Sequence, residues 1–329
     1  MTTNKVTTIG GATRDIMFYT DEALLLDNKE DLLRQKLIAV EYGAKIYSQD
    51  VFFTYGGGGA NTAVNFASLG IKTQTILSVG DDFVGQNIIK YLKSKKINTN
   101  LIQKHPQLKT ATSFIVNVGQ YKEHVIFVYR GANDALRLNN QLIRKINTPW
   151  VYLASPSFKM MGDFKKLFDH CRRKKIKVVW NPGADQLKLG LKKLAKFMKQ
   201  TVVFDVNRDE ALELLVSLKK DKVKNSVNYI LKNLHQYGQK LTVVTDGHRG
   251  AYIYDGQKIY FRPASKRKGI NTTGAGDVFG SSLVAGLIKY HWDLEKALKL
   301  AIINSTAVIM KIGAQEGLLT QKDLKKYKL

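Results

Sequence analysis

Apolar and polar residues alternate over 5–9 and stop at Gly10-Gly11, which predicts an opening strand. A second alternating stretch, 16–19, follows directly after Asp15. Residues 21–42 are mostly polar, with Leu32, Leu33 and Leu37 at helical spacing, which predicts a short helix. Strand character returns over 45–54, breaks at the four glycines 56–59, and gives way to a small, apolar helical pattern over 60–69. A strand at 73–79 and a helix at 85–95 follow. The β-branched and aromatic stretches 112–118 and 124–129 predict a hairpin. With 16–19 and 45–54 it would form a small antiparallel sheet beside the main one. From Trp150 onward strands at 150–154, 177–180, 201–205 and 241–245 alternate with helices at 160–174, 187–198, 208–218 and 224–237. A hairpin at 251–262 and helices at 276–290 and 293–310 complete the pattern. That alternation predicts an α/β sandwich with a mostly parallel sheet covered on both faces. No internal repeat or low-complexity linker divides the chain, so 1–329 is expected to be one domain.

Composition narrows the class. At 329 residues and 44% hydrophobic the chain has enough apolar surface to bury a core. No apolar run approaches the roughly 20 residues that cross a bilayer. The start, Met1-Thr2-Thr3-Asn4-Lys5, lacks the apolar region of a signal peptide, and Cys171 is the single cysteine. The expectation is a cytoplasmic protein without membrane contact. Charge is the unusual quantity: 52 Lys and Arg against 27 Asp and Glu give +25. Such a surplus attracts polyanions. Its clusters, at 172–175, 192–193, 219–224, 266–268 and 322–328, do not interleave with aromatics in an RNA-binding pattern. They read as a solvated basic surface, with functional polyanion binding as the alternative.

Two stretches carry candidate chemistry. Gly269 to Gly274 has the spacing of a phosphate-binding P-loop, but Ala275-Gly276 stand where Lys and Ser or Thr are needed. No Gly-x-Gly-x-x-Gly opens a helix after a strand, and the six histidines show no metal-ligand spacing. What remains is Asn271-Thr272-Thr273-Gly274-Ala275-Gly276-Asp277, leading into an apolar helix. Small residues at a helix start leave backbone N–H groups free for an anion, such as the charge gathering on a phosphoryl group in transfer. Asp277 in the first turn is placed to take a proton from an attacking hydroxyl. The alternative is that Thr273 or Asp277 merely caps the helix. The second stretch is Tyr55-Gly56-Gly57-Gly58-Gly59-Ala60-Asn61. Its glycines allow close backbone approach to a ligand, and Asn61 offers donor and acceptor to a polyhydroxy compound. A plain strand-to-helix turn is the other reading.

Together these stretches resemble the ribokinase-like, PfkB-type family of carbohydrate and nucleoside kinases. Asn61, Ala63, Gly70 and Gly80 match its first signature, and Thr272-Thr273-Gly274-Ala275-Gly276-Asp277 its second. The resemblance covers essentially the whole chain. It implies a three-layer α/β/α sandwich whose small sheet, from about 16–20, 45–55 and 112–130, is a substrate lid. It also implies Asp277 as general base with Gly274, Ala275 and Gly276 as anion hole, and Asp15, Gly57, Gly58 and Asn61 as acceptor site. Asn207, Thr245, Gly247, Gly250 and Asn304 would meet the nucleotide, and Glu210 would organise Mg²⁺ indirectly. ATP and Mg²⁺ are the implied cofactors, with K⁺ as a monovalent cation. Arg130-Gly131-Ala132-Asn133 and Asn181-Pro182-Gly183-Ala184 also resemble ribokinase stretches. Asn271 and Ser282 depart from the second signature, and Ala154 stands where ribokinase has a substrate-contacting glutamate. The segment 21–50 is longer than the ribokinase equivalent, as in adenosine kinase-like members.

The implied activity is ATP-dependent phosphoryl transfer to a hydroxyl of a sugar or sugar derivative. A nucleoside acceptor is the alternative within the family. A kinase-fold protein that binds RNA without catalysis is the alternative outside it. A homodimer through the lid is the implied assembly.

Overall fold

A computed structural model describes residues 4–28, 36–119, 123–218, 223–267 and 269–327. Eight strands form the main sheet, in the spatial order Ile259–Arg262, Ala251–Tyr254, Leu241–Thr245, Val203–Asn207, Lys177–Asn181, Trp150–Ala154, Lys5–Gly10 and Lys72–Ile76. The six strands from Leu241–Thr245 to Lys72–Ile76 run parallel, and the last hairpin pairs antiparallel at the edge. Near-continuous apolar runs such as Trp150–Ala154, buried at every position, are what a strand covered on both faces requires.

One face packs against the helices Met161–Arg173, Leu191–Met198, Arg208–Val216 and Val227–His235. Trp180 is fully buried there among Phe164, Phe168, Phe197 and Phe204, and its indole N–H donates to Gln186 Oε1 at 3.2 Å. Each such aromatic contributes roughly 1.5–3 kcal/mol by leaving water, and the paired N–H avoids an offsetting cost. The other face packs against Gly58–Ser68, Ala275–Lys289 and Leu294–Ile309. Ala275–Lys289 is buried along ten consecutive residues, Val278 to Leu287, so its start is rigidly placed.

Register decides where chemistry can sit. Gly10 pairs with Ala154, Ala154 with Asn181, and Asn207 with Thr245. These residues lie along the carboxyl edge of the parallel strands, where open α/β sheets bind ligands. Over this edge stands a second sheet, ordered Glu123–Tyr129, Thr112–Val118, Thr13–Thr20 and Asp50–Gly56. Its pairings are antiparallel except between Thr13–Thr20 and Thr112–Val118, which run parallel. The alternation of Thr13–Thr20 turns Asp15 and Met17 inward, both buried.

One sequence expectation is corrected. Where a helix was expected over 21–42, Leu24–Asp27 and Lys36–Ala39 pair as an antiparallel ribbon, Leu26 opposite Leu37. A spacing of four puts side chains on one face of a helix but, being even, on one face of a strand as well. Leu32 and Leu33, part of that expectation, lie outside the described residues. So do the hairpin turn 120–122 and parts of three basic clusters, at 219–222, 268 and 328. The strand expected from 45 begins at Asp50. No helix among the described residues is long and apolar enough to cross a membrane.

Candidate active site

The two signature stretches meet. The Ala275–Lys289 helix is capped by Gly274 in the left-handed conformation, φ 75° and ψ 0°. A Cβ there would stand 2.5 Å from that of Ala314, so both the turn and the packing require glycine. The Ala275 amide closes the turn on the Thr272 carbonyl at 3.2 Å. Of the three expected anion-hole amides, that of Ala275 is therefore shared with the turn. Asp277, half-buried in the first helical turn, faces the glycine loop. A Cβ on Gly58 would lie 3.1 Å from Asp277 Oδ1 and 3.0 Å from the Ala154 carbonyl oxygen. Asn61 Nδ2, one turn further along the Gly58–Ser68 helix, donates to Asp277 Oδ2 at 2.8 Å. Burial pushes the Asp277 carboxyl above its usual range, and the Asn61 hydrogen bond pulls the other way.

Asp15, on the small sheet, lies against the same glycine loop at Gly56. It is 4% exposed, and its Oδ1 accepts from Thr13 Oγ1 at 3.0 Å. Burial raises its pKa, against hydrogen bonds from Thr13 and Ser113. Gly56 leaves room for this carboxylate, since a Cβ there would overlap Asp15 Oδ2. Gly57, at φ 89°, turns the chain against Gly11 and Ala12 into the helix. Asn133 Oδ1 accepts from the Ala12 amide at 3.0 Å and ties the 130–133 stretch to this floor.

A polar cavity of about 220 Å³ adjoins Asp277, lined by Asn181, Asp205, Asn207, Glu210 and Thr245 together with Thr272 and the 274–277 helix start. Asn207 caps the Arg208–Val216 helix: its Oδ1 accepts from the Glu210 amide, and Glu210 Oε2 accepts from the Asn207 amide, both at 2.9 Å. Such a reciprocal box fixes the Glu210 carboxylate at the cavity wall. Burial raises the Glu210 pKa. Asp205 did not emerge as a site residue from the sequence. It is 2% exposed, and burial together with the charges of Glu210 and Asp277 pushes it up to about 8. A carboxylate inside the apolar strand Val203–Asn207 was the available signal, because an unpaired acid is costly there. A buried acid raised by two neighbouring acids marks a site that favours a cation. Among the described residues no three His, Cys, Asp or Glu form a metal cluster. This donor set fits Mg²⁺, which binds through one or two carboxylates plus substrate phosphates.

A larger cavity, about 640 Å³, opens from the polar one and shares Asn207, Thr245, Thr272, Ala275 and Gly276 with it. Gly247, His248 and Gly250 form one side, and Phe279, Ile302 and Ile309 an apolar wall. The 246–250 turn is pinned by Asp246, whose carboxylate pairs with Arg249 at 2.6 Å and Arg208 at 3.0 Å. The Arg249 hydrogen bond, with the Arg208 charge, holds Asp246 below the usual carboxylate range. Asn304 departs from expectation. It is fully buried and faces away from the cavity, with Nδ2 donating to Asn65 Oδ1 and Ser282 Oγ at 2.8 Å. Its Oδ1 accepts from the Leu319 amide at 2.9 Å. On the same helix it is Ile302, Ser305, Thr306 and Ile309 that line the cavity.

Comparison with known proteins shows the family. The pfkB family carbohydrate kinase profile matches residues 4–321. The chain is 26% identical over 317 residues to the ATP-dependent 6-phosphofructokinase of Thermoanaerobacterium thermosaccharolyticum, covering 90% of this chain and 93% of that one. It is 26% identical over 288 residues to the ribokinase of Lactococcus lactis, covering 86% and 88%. The crystal structure of the Methanocaldococcus jannaschii nucleoside kinase, an archaeal member of the ribokinase family, matches with a TM-score of 0.77 at 23% identity. That match covers 98% of this chain and 97% of the other. The chain belongs to the pfkB family of carbohydrate kinases. It is a phosphotransferase with an alcohol group as acceptor, and its sandwich with a small covering sheet is the ribokinase-like fold.

Proposed function

We propose that the protein transfers the γ-phosphoryl group of ATP to a hydroxyl of a sugar or sugar derivative, as one domain spanning 1–329. The observation that carries this reading is the convergence on Asp277, with Gly58 against one carboxylate oxygen and Asn61 bonded to the other. An acceptor hydroxyl lying on the glycine loop loses its proton to Asp277. Its oxygen bonds to the γ-phosphorus while the bond to the β–γ bridging oxygen breaks and ADP departs. The backbone amides of Gly274 and Gly276, with that of Ala275, receive the charge developing on the phosphoryl oxygens. Asp15 holds the acceptor through two lone-pair-rich oxygens, suited to adjacent hydroxyls. Glu210 and Asp205 would hold Mg²⁺ at the polar cavity, where it would supply positive charge against the nucleotide phosphates. The nucleotide lies in the larger cavity along Thr245, Gly247 and Gly250. The outer lid face, with Phe53, Phe114 and Phe127 exposed, is the surface through which two copies pair in this reading. Sedimentation of the parent and of Phe53→Glu tests that pairing.

The names of the relatives span a sugar phosphate, a sugar and a nucleoside as acceptors. The deciding experiment is ADP release with ATP and Mg²⁺, with and without K⁺, over a panel of all three classes. Turnover on sugars or sugar phosphates supports the reading, and turnover on nucleosides alone replaces the acceptor. A salt-dependent nucleic-acid shift with no turnover on any acceptor would instead favour a polyanion-binding protein.

A further inference from the structure

The stretch from Gly313 to Gln315 follows the last long helix and belongs to neither signature, yet it packs into the transfer corner at three points. A Cβ on Gly313 would lie 3.1 Å from Thr54 Cγ2 of the lid, and Ala314 packs against Gly274. Gln315, 9% exposed, donates from Nε2 to Asn61 Oδ1 at 2.9 Å. The other end of the same Asn61 amide donates to Asp277 Oδ2 at 2.8 Å.

The direction of this chain is fixed at one end. A carboxylate in its base form only accepts, so Asn61 must turn its N–H toward Asp277 and its oxygen away. That oxygen is met by a donor, the Gln315 amide nitrogen. Gln315 Oε1 is itself buried without a hydrogen-bond partner among the described residues. Leaving a buried oxygen unpaired costs stability, so local satisfaction of Gln315 does not account for its placement. Among the described residues the Gln315 side chain hydrogen-bonds to Asn61.

We propose that Gln315 is a positioning residue for phosphoryl transfer, holding the Asn61 amide in the orientation that aims the Asp277 carboxylate at the acceptor hydroxyl. The proposal rests on the reading of Asp277 as the base. Without Gln315 the Asn61 oxygen loses the hydrogen bond that anchors it, so the amide is held from one end only and the carboxylate bonded to its nitrogen drifts from its aim. A displacement of that kind lowers the chemical step without touching the nucleotide cavity.

The test is steady-state kinetics, with direct ATP titration, for Gln315→Ala, Gln315→Glu, Asn61→Ala and the Asn61→Ala/Gln315→Ala pair. Gln315→Ala is expected to lower kcat roughly 10- to 100-fold, the scale of a small misplacement of reacting groups, with ATP affinity unchanged. Gln315→Glu keeps the shape but presents a carboxylate to Asn61 Oδ1, and should lose more than the alanine variant. In the Asn61→Ala background, Gln315→Ala should cost nothing further, since its route to Asp277 is already cut. An unchanged kcat for Gln315→Ala, a glutamate variant more active than the alanine one, or the same loss in both backgrounds would overturn the proposal. Asp277→Asn measured alongside separates the two levels. Full activity there removes the base and this proposal with it, whereas its loss beside an unaffected Gln315→Ala removes the positioning role alone.

Discussion

The transfer corner and the lid are built in opposite ways. The corner draws on the carboxyl edge of the parallel sheet and on two helix starts, with Gly274 and Gly57 as their caps. Its acids are crowded, and burial raises Asp205, Glu210 and Asp277 together. The lid places one buried carboxylate, Asp15, on a sheet whose outer face leaves Phe53 and Phe127 more than half exposed. A site that gathers charge on rigid helix ends is suited to phosphates and a cation. A thin sheet with one inward acid among its described residues is suited to the hydroxyls of an acceptor. In the proposed reading chemistry belongs to the one region and selection to the other.

Replacing Asp15 should break the comparison most strongly. Asp15→Ala is expected to cost about 2–4 kcal/mol in acceptor kcat/KM, the scale of charged hydrogen bonds plus desolvation. ATP affinity measured without acceptor should stay the same; equal loss in both would mean that Asp15 supports the fold. Glu210→Gln acts on the corner. The amide oxygen can still accept from the Asn207 backbone N–H, so the helix cap survives while the charge is lost. The Mg²⁺ concentration for half-maximal activity should rise roughly 10-fold, as for other residues that act through a metal's surroundings. An unchanged Mg²⁺ titration would remove Glu210 from the metal's surroundings.

The smallest effect concerns stability. The Asp205 carboxyl lies near 8 when folded, against an ordinary value of 3.8. Between those values the folded chain holds a proton that the unfolded chain has released, so stability falls as pH rises through that window. Asp205→Asn removes this slope. Its Tm relative to the parent should climb from pH 5 to pH 8, and a constant difference would show that Asp205 is ionised throughout.

The corner was legible because its signals are local. Gly274 to Asp277 and Gly57 to Asn61 are contiguous, and each opens a helix whose pattern is unambiguous. The Asn207 to Glu210 box is likewise a four-residue signal. What escaped reading is non-local. Asn304 occupies a matching position along the chain, but the turn of its helix directs the side chain into a network with Asn65 and Ser282. Gln315 meets Asn61 across 254 positions, which no spacing rule reaches. The strands Leu24–Asp27 and Lys36–Ala39 were missed because each is too short to show a period of its own, and only pairing across the ladder identifies them. In the lid, the parallel pairing of Thr13–Thr20 with Thr112–Val118 likewise depends on distant partners.

The central claim is that Asp277 takes the acceptor proton in a corner that binds nucleotide independently of it. Asp277→Asn preserves size and can keep a hydrogen bond to Asn61, so it isolates the loss of the base. The measurement is ADP formation at saturating acceptor, beside an ATP titration of the same preparation. The account predicts turnover lower by about 10²–10⁴ with ATP still bound. Turnover near that of the parent would contradict it.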